Sequence, residues 1–209
     1  MKKLLAMMAF ALPLSANASD FTGLSVWVGG QYTDGETKYF DKLDNSRTDF
    51  DDTDTGLTIG ADYGFALTDN SVLLVGVSWA DKADIGSLDF VSDGGDASTL
   101  SAESEQSYMF YVAPGYKIGE SSLLYAKLSY SEAEGTLTID NNVDGTSFSS
   151  RGIDDKAFGY GLGFRSYVTE NVFLNADVER VEYEYSVSDF EATIDTPITR
   201  ASITVGMSF

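Results

Sequence analysis

Eight stretches of this chain alternate apolar and polar residues with a period of two, and the segments that join them alternate between short and long. A period of two is the signature of a strand with unlike faces. The stretches run from Leu24 to Tyr32, Leu57 to Phe65, Leu73 to Trp79, Tyr108 to Ile118, Leu124 to Tyr130, Phe158 to Phe164, Val172 to Val178 and, less regularly at its start, from Ile198 to Phe209. No helical period competes over a long window. The segments 68–70, 119–121 and 169–171 are tight turns, whereas 34–54, 81–105, 134–156 and 182–195 read as long loops. Consecutive strands therefore pair antiparallel, with every tight turn at one end of the sheet and every long loop at the other. A soluble sandwich has no reason to sort its connections this way. A barrel that crosses a membrane does, with short turns on one side and long loops on the other.

Charge follows the same division. The four long segments hold 25 of the 33 acidic residues and six of the 13 basic ones, which is nearly the whole formal charge of -20. The strands are close to neutral. A strongly acidic chain does not suit nucleic acid, whose binders carry basic faces. The first 18 residues form a targeting segment: Lys2 and Lys3, an apolar run from Leu4 to Leu14, and a small-x-small site at Ala16–Ala18. The expected division is a leader over 1–18 and one domain over 19–209. Export would permit disulfides, yet the chain has no Cys.

In a bilayer a β-protein must close on itself, because every backbone polar group needs an internal partner. Eight strands make a lumen that side chains can fill. The apolar set then faces lipid, and the complementary set is expected to be polar or small. That set contains Asp62, Lys127, Arg165, Asp177 and Glu179, each between lipid-type neighbours. They lie at similar distances from the tight turns, so at about 3.3 Å per residue they share one layer. Two cations and three anions at one height imply a salt-bridge network, since unpaired buried charges cost several kcal/mol each. A soluble, ligand-binding barrel would invert the faces. Its exterior would then be mostly Gly, Ala and Ser with few charges, which is poor for solubility, while the tyrosines near the strand ends suit an interfacial girdle.

These features resemble the small outer-membrane barrel family of the OmpA/OmpX type. The resemblance is carried by the leader, by strand-turn-strand units such as YVAPGYKIGESSLLYAKLSY (111–130) and GYGLGFRSYVTENVFLNADVERVEY (159–183), and by the closing ASITVGMSF (201–209). It implies an all-β, eight-stranded antiparallel up-and-down transmembrane barrel in the outer membrane, with short periplasmic turns and four long acidic outer loops. It also implies contact with outer-membrane lipid and lipopolysaccharide. The last strand, with Ile203, Val205, Met207 and Phe209 in phase, is similar to the signal read by the barrel-assembly machinery. No peptidoglycan-binding module is expected, and the chain is expected to be monomeric.

Chemistry is limited by what is missing. Without His or Cys, the Ser-His, His-Asp and zinc sites of hydrolases cannot be built. Lys127 and Arg165 neutralise the carboxylates that could serve as an acid/base pair, so the reading is a non-enzyme with no cofactor. The run DFDDTDTG offers Asp49, Asp51, Asp52 and Asp54 as a weak divalent-cation site, although calcium-loop spacing fails. SDGGD (92–96) is weaker still. Two functions remain: a structural or surface-interaction barrel, plugged by its ion pairs and acting through its acidic loops, or a narrow cation-preferring channel for ions or small solutes.

Overall fold

The computed structural model describes residues 21–41, 46–81, 83–91, 97–141, 147–187 and 192–209. They form nine strands: β1 Gly23–Asp41, β2 Ser46–Ala66, β3 Ser71–Ala80, β4 Ala83–Val91, β5 Ala97–Ile118, β6 Ser122–Asn141, β7 Ser147–Tyr167, β8 Val172–Val187 and β9 Ala192–Ser208. All pairings are antiparallel between neighbours in sequence, and two further ladders close the barrel. One joins β1 to β9, from Ser25↔Ser208 up to Asp41↔Ala192. The other joins β3 to β5, from Ser71↔Tyr116 to Ala80↔Ser107. β3 and β4 are the lower and upper runs of a single barrel position, and both pair with β5. Nine strands thus make eight staves.

The alternation chooses the faces. On β2, Leu57, Ile59 and Phe65 point outward and are exposed, while Thr58, Asp62 and Gly64 are buried. On β9 and the residue that follows it, Ala201, Ile203, Val205, Met207 and Phe209 are exposed, with Ser202, Thr204, Gly206 and Ser208 buried between them. Tyr130 and Phe158, directly paired, meet edge to face at 5.4 Å near the top of the apolar band. Just above them the exterior turns charged: Glu132 meets Lys156 at 3.6 Å, and Arg180 meets Glu182 at 3.4 Å. Tyr63 and Phe65 pair at the lower end, 4.7 Å apart. The outward apolar band on β5 runs from Tyr108 to Ile118, which is the 9–11 residues that cross a hydrocarbon core.

The tight turns stand at 67–70, 119–121 and 168–171. Leu67 N–H donates to Ser71 O at 2.9 Å and Val168 N–H to Val172 O at 2.8 Å. Gly119 has φ +70°, a conformation that only glycine adopts without cost.

The other end differs from expectation. The four long segments are mostly strand, not loop. β1 and β2 stay paired out to Asp41↔Ser46, and β6 and β7 out to Asp140↔Ser147. What separates the strands there is 42–45, 92–96, 142–146 and 188–191. The acidic run 49–56 accordingly lies in β2, where Asp49 pairs with Lys38 and Asp54 with Thr33. The side chains of Asp49, Asp51 and Asp52 lie outside the described residues, as do residues 1–18, where a leader is expected, and the run at 92–96.

Candidate functional site

The lumen is built in three layers. Next to the tight turns sits an apolar one, with Phe21, Val72, Leu74, Ala113 and Leu123 buried and Tyr167 packed on them. Phe173 is fully buried at the same end. Far from the turns a second apolar group gathers Ala133, Ala157, Val181, Tyr183 and Ile198. Between them lie the charges. The lumen was expected to be polar or small apart from Trp27 and Tyr111, so the apolar layers are a departure from that expectation. The sequence carried their signal in runs such as VLLV (72–75), LLY (123–125) and VFL (172–174), where apolar residues occupy both faces beside a turn. Ile198 is likewise inward, out of phase with the lipid set that follows it.

The charge layer has two centres. In one, the Arg165 guanidinium clamps Asp62 through both oxygens, at 3.0 Å and 2.6 Å. Tyr111 OH donates to the same carboxylate at 2.8 Å, and Phe173 lies beneath the guanidinium, 4.2 Å from ring centroid to Cζ. In the other, Lys127 Nζ is 3.3 Å from Asp177 Oδ1 and 3.2 Å from Glu179 Oε2. Ser202 Oγ donates to Asp177 Oδ2 at 2.7 Å, Asn175 Nδ2 to the same oxygen at 3.2 Å, and Ser129 to Glu179. Tyr111 joins the two centres, because Lys127 also lies over its ring at 5.1 Å. Lysine and arginine are not interchangeable here. The planar fork of Arg165 suits a two-point clamp, and the point charge of Lys127 suits being shared between two acids.

β7 makes this geometry reachable. Its inward residues Gly159, Gly161 and Gly163 form a bare floor between β6 and β8. In register, Lys127 and Glu179 flank Gly161 from opposite sides. Three bridges cross the floor in parallel: Tyr125 OH to Asn175 at 2.8 Å, Lys127 to Asp177, and Ser129 to Glu179. A Cβ on Gly163 would overlap the Tyr125 ring.

Asp62, Lys127, Arg165, Asp177 and Glu179 thus stand in one layer, in two bonded centres. Arg200 is the lumen charge that sequence reasoning missed. It is 6% exposed and donates from Nη2 to Tyr183 OH at 3.1 Å. Its Nε and Nη1 have no hydrogen-bond partner, and Glu179 faces it across the β8–β9 ladder. Its signal was phase: counting back from Met207 puts position 200 inside. With Arg200 included, three cations face three carboxylates in this layer among the described residues.

At the closing seam, Ser208 Oγ is 2.9 Å from Ser25 Oγ and 2.6 Å from the Tyr167 hydroxyl. Phe209 N–H donates to Leu24 O at 2.9 Å, and its ring is half exposed on the lipid side.

A closed antiparallel barrel, apolar outside over one membrane's height and ion-paired within, defines an integral outer-membrane β-barrel protein. The chain belongs to the outer membrane protein beta-barrel domain family, whose model matches residues 3–209. No curated protein sequence matches it. Solved structures similar to it include Ail, the attachment invasion locus protein of Yersinia pestis, at 14% identity over 88% of this chain and 99% of that one, TM-score 0.40. Neisserial surface protein A is similar at 15% identity over 90% and 99%, TM-score 0.44. The outer membrane protease OmpT of Escherichia coli is similar at 10% identity over 89% and 96%, TM-score 0.47.

Proposed function

We propose that this protein is a surface barrel with a plugged lumen, whose outward work is done by its acidic strand ends and the connections between them. One observation carries the reading. Among the described residues, each of the three charge-layer carboxylates, Asp62, Asp177 and Glu179, has a cation within 3.3 Å, and the layer they form lies between two apolar ones. An aqueous passage would have to separate those pairs, and breaking one by loss of a partner costs about 3–5 kcal/mol. A non-enzymatic role accords with a chain that has neither His nor Cys and in which the described charge-layer carboxylates, Asp62, Asp177 and Glu179, are each paired with a cation.

In the same reading the leader over 1–18 is removed on export. Ile203, Val205, Met207 and Phe209 present the assembly machinery with an aromatic-ended strand, and the mature barrel is a monomer. Asp49, Asp51, Asp52 and Asp54 place acid high on β2, where divalent cations would bridge it to anionic lipopolysaccharide or to a surface ligand.

The test is conductance in planar bilayers, comparing the wild type with Lys127→Ala/Arg165→Ala and checking the fold by heat-modifiable gel migration. The expected result is a silent wild type and a conducting double variant. A wild type that conducts steadily and prefers cations overturns the plug and makes the lumen a narrow cation channel.

A further inference from the structure

Phe21 enters the lumen against its backbone preference. Its φ of 56° lies in the left-handed region, where a bulky residue is an outlier. Such conformations persist only where the surroundings over-determine them, and they gather at active sites, ligand clamps and switch regions. Here the surroundings are explicit. The side chain is 2% exposed and its ring centroid is 4.9 Å from that of Tyr167. It packs in the lower apolar layer with Val72, Leu74 and Leu123. Gly64 leaves the space: a Cβ there would overlap the carbonyl oxygen of Phe21. Yet Phe21 belongs to no ladder, because pairing begins at Gly23↔Gly64 on one side of β1 and Ser25↔Ser208 on the other. It is seated by packing, not by the sheet, so it can leave without unzipping a strand.

We propose that Phe21 is a removable stopper at the periplasmic mouth, and that its release controls whether periplasmic water and solutes reach the charge layer. The inference rests on the plugged-lumen reading and adds a second, separable closure to it. The ion pairs block the middle of the barrel, and Phe21 keeps its lower end dry.

The cysteine-free chain makes the test direct. Ala113→Cys places a thiol in the lower layer and Ala157→Cys one in the upper layer, both at positions buried in the wild type. Each folded barrel, in detergent micelles with both mouths open, is exposed to a small charged thiosulfonate. Glu120→Cys on the exposed turn gives the rate for a free thiol. The thiol at 113 is expected to react at least about tenfold more slowly than that at 120, since reaction waits on local opening. Adding Phe21→Ala or Gly64→Ala should raise the rate at 113 about tenfold and leave 157 unchanged. Heat-modifiable migration selects the folded variants, and Phe21→Leu, the mildest change, should fall between.

An unchanged rate at 113 with Phe21 truncated overturns the stopper. So does an equal rise at 157, which would mean general loosening. Conductance separates this inference from the one beneath it. Phe21→Ala should label fast and remain silent while the ion pairs are intact. If it labels fast and also conducts, the stopper stands and the ion-pair plug fails.

Discussion

Arg165 and Arg200 show how differently two buried guanidinium groups can be held. Arg165 has a two-point carboxylate clamp and an aromatic face. Arg200 has one tyrosine oxygen and the field of Glu179 across the ladder. Truncating one partner of a buried pair leaves an uncompensated charge, so Asp62→Ala or Arg165→Ala should lower stability by about 3–5 kcal/mol. The double change Asp62→Leu/Arg165→Met should regain most of that loss, because an apolar replacement of similar volume removes both desolvation penalties. Urea unfolding followed by tryptophan fluorescence checks both, and a double variant as unstable as the singles would refute the pairing argument. Lys127→Met, which strands two carboxylates, should cost more than Arg200→Met, which strands no directly bonded one. Most residues of the charge layer could be read from sequence because they sit between lipid-facing neighbours, and Glu179 because it lies two positions on from Asp177, so phase alone turned them inward. Arg200 escaped because Pro197 and Ile198 blur the phase at the start of the last alternating run. The apolar layers escaped because alternation distinguishes lipid from lumen only when the lumen is polar.

At the scale of the element, β7 and β9 carry the argument. The bare floor of β7 is a steric requirement, so Gly161→Val should push Lys127 and Glu179 apart and lower stability by about as much as breaking their pair, near 3 kcal/mol. Ala126→Val, next to Lys127 but facing lipid, should change little. Equal unfolding midpoints for Gly161→Val and Ala126→Val would show that the floor is not needed. On β9, removing Phe209 deletes one backbone bond to Leu24 and one half-exposed ring. Refolding into lipid in vitro should proceed nearly as before, while the amount reaching the outer membrane in cells should fall severalfold. Undiminished cellular assembly would separate the terminal aromatic from recognition. The lower halves of these strands were legible and the upper halves were not, for one physical reason. Within lipid the two faces of a strand meet different solvents and the sequence must alternate. Above it no lipid demands an apolar outer face, the period vanishes, and paired strand reads as loop. The break between β3 and β4 falls at that boundary, at Ala80 and Ala83, so one stave appeared as a strand followed by a loop.

The whole molecule is a barrel of which only the lower half is in the membrane, and its two tryptophans sample the two environments. Trp79 follows Val75 and Val77 on the lipid-facing side of β3, near the top of the apolar band, and Trp27 packs against the lumen cluster. With Trp27→Phe, brominated lipids should quench the remaining tryptophan strongly, more so when bromine lies near the headgroups than at the tail ends. With Trp79→Phe, quenching should be weak at every depth. Strong quenching of Trp27 would mean the faces had been assigned backwards.

Strands of 19–22 residues also settle how the molecule's charge is felt at a distance. About ten residues of each rise above the lipid, which at roughly 3.3 Å per residue and a tilt near 40° lifts the tips some 25 Å. That is about three Debye lengths in physiological salt. Acid at the very tips is therefore electrically independent of the anionic headgroups below, whereas carboxylates nearer the lipid, such as Asp54, Glu132 and Glu182, stay close enough to share a cation with them. The same rim can attract cations from outside without repelling the membrane that carries it, and only a drop to very dilute medium would bring the two into contact.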